Sequence, residues 1–188
     1  AHDVQSIKSL KMPITMSFLP PSPAHPDSAK LANKEKVYMV HLPLEAMHFS
    51  AEEPITLRVG DSKAVIEERI NEVTSLFPRV YYVNNHTGSR FTSDKTSVMN
   101  LIKALDKKGV GFLDSRTTAQ TKVPEVMASL GRPYIARDLF LDHEADVEYI
   151  QKQIHKAIAK AKEHGSAIAI GHPRKETLKA LKNSKRAL

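Results

Sequence analysis

The sequence predicts an α/β fold, built as an irregular (β/α) barrel, from three observations. Short apolar segments alternate with amphipathic stretches along the whole chain. Glycine or proline follows several of these stretches, at positions where a helix would end. No glycine-rich phosphate loop supports the alternative, a doubly wound open sheet. The 188 residues are expected to form one domain over residues 1–188.

In the first half of the chain, apolar runs predict strands and helical spacing predicts helices. A helix should end near Leu10, and a proline-rich turn should separate the first strand from the next helix. A long polar loop, broken by proline, should follow the second strand, with a short extended segment over 55–59. The predicted elements are strand 14–19, helix 27–34, strand 37–42 and helix 62–76, which Pro78 stops.

The second half repeats the pattern with clearer stop signals. Residues 92–94 offer an N-cap for a helix that ends near Lys108, and glycine follows three of the predicted helices. These units contain no detectable internal sequence repeat. The predicted elements are strand 80–83, a helix to Lys108, strand 110–113, helix 122–130, strand 134–136, helix 146–164, strand 167–170 and helix 174–181.

The stretch VYYVNNHTGSRFTSD, residues 80–94, changes abruptly from apolar to polar. Val80 to Val83 has the β-branched and aromatic content of a buried strand, whereas asparagine and histidine seldom lie unpaired in a core. The change therefore predicts that the strand ends at Val83. Ligands of parallel α/β folds bind beyond the carboxyl ends of the strands, so the residues that follow are candidates for a site.

Polar residues follow five predicted strands, and they are expected to meet on one rim of the barrel. This convergence is the strongest functional signal in the sequence. The candidates are His41, Glu45, Asn84, Asn85, His86, Asp114, Arg116, Arg137, Asp138 and His172.

Several of these residues, and also Asp142 and Glu144, have a purely structural interpretation. Asp114 is a suitable N-cap, and His172 stands before Pro173, where a helix could simply begin. Asp142 and its acidic neighbour Glu144 precede a long helix and could complement its dipole. Arg137 and Asp138 could form a mutual ion pair.

The sequence contains no cysteine, so a metal ion would need histidine, carboxylate or amide ligands. His41, Glu45 and His86 form a nitrogen and oxygen set suited to zinc or a similar divalent ion. Such an ion would activate water, and His172 would then act as a general acid or base.

The net charge of +7 favours an anionic partner, but its distribution along helical stretches fits a solvated surface. No nucleic-acid-binding signature accompanies the charge, so no nucleic-acid partner is expected. No apolar run approaches the roughly 20 residues that a membrane span requires, and the first residues lack the apolar core of a signal peptide.

Five segments, in this order, resemble the divergent polysaccharide deacetylase family, a distant branch of the NodB-type carbohydrate esterases. They are HLPLE, NNHTGSRFTSD, GFLDSRTT, ARDLFLDHE and AIAIGHPRKETLKAL, and the resemblance extends over residues 5–183. It implies a distorted barrel, a metal site at the carboxyl rim, an N-acetylated polysaccharide as substrate and a location in the bacterial periplasm or cell envelope.

The resemblance also implies roles for individual residues. HLPLE is similar to the family's H-x-x-x-H metal motif, with His41 retained and Glu45 in place of the second histidine. AIGHP is similar to the segment that carries the catalytic histidine, here His172, and LDSRTT and ARD are similar to segments that orient it through Asp114 and Asp138. Family members usually begin with a strand that ends in an acidic pair, whereas AHDVQS resembles the helix after it, so the first strand is expected to be missing.

Two functions are therefore expected. The first is a metal-dependent deacetylase in which His172 protonates the leaving amine. The second is a catalytically inactive barrel that binds a glycan or an envelope partner on the same rim, with Asn85, Arg116 and Arg137 contacting the saccharide. The sequence does not indicate the oligomeric state.

Overall fold

The computed structural model describes residues 2–48 and 52–188, and the chain divides into two compact units. The central unit is Thr15–Ile135, and the terminal unit combines Ala1–Ile14 with Ala136–Leu188. Residues 49–51 of the predicted polar loop lie outside the described part. Each unit is described by itself below.

Helices and strands alternate along the chain, as the sequence predicts. In chain order the elements are α1 (His2–Ser9), β1 (Met16–Phe18), α2 (Ser28–Ala32), β2 (Tyr38–Leu44), α3 (Lys63–Leu76), β3 (Tyr82–Thr87), a 3₁₀ helix (Phe91–Ser93), α4 (Lys95–Asp106), β4 (Gly111–Asp114), α5 (Val123–Ser129), β5 (Ile135–Ala136), β6 (Leu139–Phe140), α6 (Val147–His164), β7 (Ala169–Ile170) and α7 (Lys175–Ser184).

The strands form two sheets. The first has the order β1-β2-β3-β4-β5, and the pairs β1–β2, β2–β3 and β3–β4 are parallel. The second sheet pairs β6 with β7, also in parallel. Parallel strands joined by helices confirm the predicted α/β fold.

The central unit is held by apolar side chains that the strand and helix periods place on one face. In β2, Tyr38, Val40 and Leu42 are buried at alternate positions, as in a strand that packs on a core. In α3, Ile66 and Ile70 are buried one turn apart. The Ser62 side chain caps α3 by accepting a hydrogen bond from Val65 N–H. The same periodicity made these elements predictable.

The terminal unit has a smaller core between α6 and α7. The buried residues of this core are Leu141, Ile150, Ile154 and Ala180. Asp146 caps α6 by accepting a hydrogen bond from Tyr149 N–H, and Gly165 ends the helix with φ of +86°. A non-glycine residue at this left-handed position would be strained.

The structure corrects the predicted end of β3. The strand continues through Asn84, Asn85 and His86 to Thr87, in register with His41 to Leu44 of β2. The asparagines can lie in a buried strand because their side chains are hydrogen-bonded, which the sequence alone does not reveal. The two-residue strand β6 was not predicted, because it is too short to show a period.

Candidate functional site

Two of the three predicted metal ligands lie side by side in the central unit. The rings of His41 on β2 and His86 on β3 are 4.8 Å apart between centroids and meet edge to face. The register explains this proximity. Pro43 lies opposite His86 on the neighbouring strand, and His41 is two residues before Pro43, on the same face of β2. Both side chains are half-buried.

Glu45, the third predicted ligand, has other partners. Its carboxylate accepts a hydrogen bond from Val59 N–H at 2.8 Å and pairs with the Arg90 guanidinium at 3.1 Å. A second arginine, Arg58, lies 3.9 Å from the same carboxylate. Glu45 therefore fastens the loop after β2 to the loop after β3.

Among the residues that the structure describes, the metal site that the family resemblance implies is not complete. Catalytic zinc sites use three protein ligands and leave one position for water. Within residues 2–48 and 52–188, no group of three histidine, aspartate or glutamate side chains is arranged to hold a metal ion. No chemical step is therefore assigned to a metal here, and ligation by His41, Glu45 and His86 stays a prediction.

Asn84 and Asn85 brace the carboxyl ends of the central strands. Asn84 accepts a hydrogen bond from Ser17 Oγ on β1 and donates one to Ser115 Oγ after β4. Asn85 is fully buried, accepts from Ser115 N–H at 2.7 Å and donates to the Thr87 carbonyl at 2.6 Å. In this arrangement Asn85 has no surface with which to contact the saccharide predicted for it.

The turn after β3 has an unusual backbone. Thr87 has φ of +53°, which is rare for a β-branched residue. Its hydroxyl donates to the Leu44 carbonyl, and its own carbonyl accepts from Asn85 and from Thr117. Next to it, a Cβ on Gly88 would lie 2.9 Å from Leu44 Cβ, so this position requires glycine. The surrounding hydrogen bonds fix the turn directly after His86.

Asp114 is a hub for the loop after β4. It is fully buried and accepts hydrogen bonds from Arg116 N–H, Thr121 Oγ1 and the Tyr134 hydroxyl. Arg116 is exposed, and its backbone is left-handed with φ of +50°. This geometry gives Asp114 a part in shaping the loop that presents Arg116, and it does not provide the helix cap considered from the sequence.

In the terminal unit, His172 pairs with Asp142, a residue not among the predicted site residues. The Nδ1–H of His172 donates to Asp142 Oδ1 at 3.0 Å, and the backbone N–H of His172 donates to Oδ2 at 2.6 Å. Thr177 Oγ1 donates to the same carboxylate at 2.9 Å. Because Nδ1 faces Asp142, the Nε2 atom lies on the opposite side of the ring.

Burial and electrostatics distinguish the two partners. The Asp142 side chain is 1% exposed, whereas the His172 side chain is 51% exposed. Burial raises the pKa of Asp142, whereas the hydrogen bonds from His172 and Thr177 lower it. The lowering effects together are larger, so the pKa of Asp142 lies below its ordinary value. Asp142 is therefore a carboxylate at neutral pH, and it orients a solvent-facing imidazole.

Asp138 and Arg137 both contact other residues of the terminal unit. Asp138 accepts from Ile168 N–H and from Lys160, and these two contacts lower its pKa despite partial burial. The Arg137 guanidinium lies 3.7 Å above the ring of Phe140. Asp138 therefore links β6, β7 and α6, and it is not seen orienting His172 as the resemblance implied.

Asp142 and Thr177 are the residues that sequence reasoning missed. The signal for Asp142 was its position directly after an apolar run, LFL, at a strand end like the other candidates. The sequence favours a role for Asp142 at a helix dipole only because β6 is too short to be recognised as a strand. Thr177 lies in the first turn of α7, three residues after the N-cap residue Arg174. The sequence around it forms no distinctive motif.

The protein is therefore a parallel α/β protein. It has polar loops at the carboxyl ends of its strands and a histidine that a buried carboxylate holds. The chain matches the divergent polysaccharide deacetylase family over residues 1–188 and belongs to that family. In the part of the chain that the structure describes, no helix is long and apolar enough to cross a membrane.

Two curated relatives support the family assignment. An uncharacterized protein of Haemophilus influenzae is 30% identical over 184 residues, which cover 97% of this chain and 66% of the relative. The uncharacterized protein YibQ of Escherichia coli K12 is 32% identical over 181 residues, which cover 96% of this chain and 57% of YibQ. The chain thus spans less than two thirds of either relative.

A solved structure supports the fold. The crystal structure of an uncharacterized protein from Agrobacterium tumefaciens C58 has a TM-score of 0.83 to this chain at 22% identity. The match covers 98% of this chain and 77% of the crystallised chain. At this identity the likeness concerns the fold alone.

Proposed function

We propose that this chain provides catalytic machinery for a hydrolase that removes acetyl groups from an N-acetylated polysaccharide of the bacterial periplasm or cell envelope. The observation that supports it is the Asp142–His172 pair, in which a buried carboxylate holds an exposed imidazole. Family membership supplies the substrate class.

The chemistry of amide hydrolysis matches what this pair can do. Water adds to the acetyl carbon and loses a proton to solvent, the bond between that carbon and the sugar nitrogen breaks, and the nitrogen leaves with a proton, which the imidazole then regains from solvent. Imidazolium can deliver that proton from Nε2 while Nδ1 stays hydrogen-bonded to Asp142. The negative charge of Asp142 stabilises the imidazolium and keeps the ring in one orientation.

The test is acetate release from N-acetylated oligosaccharides derived from chitin and from peptidoglycan, with divalent metal supplied. We expect turnover by the unaltered chain and a loss of about 100-fold or more in His172→Ala. His155→Ala is the matched control, because His155 is an exposed histidine of the same unit, distant in sequence from the pair. Failure to release acetate from any of these glycans would contradict the proposal.

The incomplete ligand set favours a second candidate, a non-catalytic glycan-binding protein. It predicts saccharide binding, measured by calorimetry, that is unchanged in His172→Ala and is not accompanied by acetate. Binding that weakens in Arg116→Ala would support this candidate, because Arg116 is exposed on the loop after β4. Acetate release abolished by His172→Ala would exclude it.

A further inference from the structure

The outer faces of α6 and α7 carry many lysines without a carboxylate partner. Their nitrogens form no ion pair or hydrogen bond within the described residues. The lysines of this surface, called here the lysine face, are Lys152, Lys156, Lys162, Lys175, Lys179 and Lys182. All six are exposed.

Several lysines of the central unit have a carboxylate partner. Lysines on or directly beside α3, α4 and α5 contact glutamates of α3 and α5, whereas Lys103 on α4 is exposed without such a contact among the described residues. The pairs are Lys63–Glu67, Lys107–Glu67, Lys95–Glu125 and Lys122–Glu125. The positive field of the lysine face is therefore not neutralised by neighbouring side chains in the way that these cations are.

Folding does not account for this arrangement. Lysines four positions apart on a helix repel one another, and this spacing occurs between Lys152 and Lys156 and between Lys175 and Lys179. The two helices are held by their apolar core, so packing opposes the repulsion, and an anionic partner would relieve it. Glu148 lies four residues before Lys152 and Glu176 three residues before Lys179, but neither glutamate forms an ion pair with a lysine of this face among the described residues.

The chemistry of the lysine face indicates the kind of anion. Lysine is a compact point charge, without the planar fork with which arginine recognises individual phosphates or carboxylates. Tyr149, the aromatic residue of α6, packs against the core, and α7 contains no aromatic residue, so the face offers no platform for stacking a sugar or a base. A broad row of point charges suits a surface of many mobile anions.

We propose that the lysine face binds the anionic lipid headgroups of a membrane surface, without insertion. The attraction is electrostatic and grows with the number of lysines near the surface. This proposal is independent of the proposed hydrolase function, because it uses no residue of the Asp142–His172 pair. It gives the family domain a peripheral mode of membrane attachment.

The test is co-sedimentation of the full chain with vesicles of phosphatidylcholine alone and of phosphatidylcholine mixed equally with phosphatidylglycerol. We expect binding to the mixed vesicles only, and its loss at high salt because exposed charges are then screened. The variant Lys152→Glu, Lys156→Glu, Lys179→Glu, Lys182→Glu should lose about tenfold or more of the bound fraction.

The control variant changes the net charge equally but in the central unit. It combines Lys34→Glu, Lys36→Glu, Lys103→Glu and Lys108→Glu, which are exposed lysines of the central unit. Retained binding in this control supports the lysine face, whereas equal loss in both variants overturns it in favour of net charge alone. Binding to soluble polygalacturonate but not to mixed vesicles would overturn it in favour of a linear polyanion.

Replacement of the same four lysines by glutamine guards against misfolding of the glutamate variant. The glutamine variant removes the charge without introducing new repulsion, and its far-ultraviolet circular dichroism should match the unaltered chain. If this folded variant still binds mixed vesicles fully, the proposal fails.

Discussion

The central and terminal units place their polar groups in opposite ways. In the central unit, Asn85 and Asp114 are fully buried, and their side-chain hydrogen bonds end on neighbouring loops. In the terminal unit, one buried carboxylate, Asp142, holds the half-exposed ring of His172. A satisfied and buried network makes a rigid scaffold, whereas a group that is fixed on one side and solvated on the other can react.

The largest expected effect comes from the terminal unit. Asp142→Asn removes the negative charge that orients His172 and stabilises its imidazolium, so acetate release should fall about 100-fold or more. Thr177→Val removes only one donor to the carboxylate and should lower turnover about tenfold. Both variants should leave KM nearly unchanged. Full activity in Asp142→Asn would refute the role of the pair.

In the central unit the expected effect is on stability. Asn85→Ala leaves the Ser115 N–H without its buried partner and leaves the Thr87 carbonyl with Thr117 Oγ1 alone, so the free energy of unfolding should fall by about 1–3 kcal/mol. Urea unfolding measures this loss. The matched variant Asn100→Ala, on α4, removes an asparagine with no such bonds and should change stability little. Similar losses in both would show that Asn85 is not a brace.

Zinc binding would distinguish the role of the two histidines of the central unit from that of Glu45. His41 and His86 lie together, whereas Glu45 is engaged by Arg90, so zinc affinity should depend on the histidines alone. Calorimetry with zinc should show a loss of about tenfold or more in His41→Ala and in His86→Ala. Glu45→Gln should bind zinc as the unaltered chain does. Loss of binding in Glu45→Gln would instead restore the predicted three-residue ligand set.

The acid stability of the terminal unit depends on Asp142. Its pKa is lower in the folded chain than its reference value of 3.8, so its stabilisation is fully present above that value. The stabilisation is lost as the pH falls through the lower folded pKa, because protonation removes the acceptor of His172 and Thr177. Thermal melts from neutral pH downward should show a shallower decline below the reference value in Asp142→Asn.

The smallest expected effects concern surface lysines, and they should differ in sign. Lys95→Met removes the ion pair with Glu125 and should slightly lower stability. Lys156→Met removes repulsion from Lys152, with no glutamate three or four residues away, and should slightly raise it. Urea unfolding at low salt measures both changes, and high salt should abolish them. Equal changes of one sign would show that pairing does not distinguish the two surfaces.

The sequence by itself determined the α/β fold and nearly all of its helices. The apolar spacing of Ile66 and Ile70 in α3, and the stop at Gly165 after α6, reflect local periods and backbone preferences that are readable along the chain. It also placed His172 just beyond the carboxyl end of a strand, which is where the structure has it, after β7.

Only the tertiary structure decided which polar groups are partners. Asp142 and His172 are 30 residues apart, and Glu45 and Arg90 are 45 apart, so no local pattern joins either pair. The same applies to Asn84 and Asn85, whose place inside β3 depends on partners from β1 and from the loop after β4. Hydrogen bonding of a buried polar group is a property of its three-dimensional neighbours, and the chain order of residues does not record it.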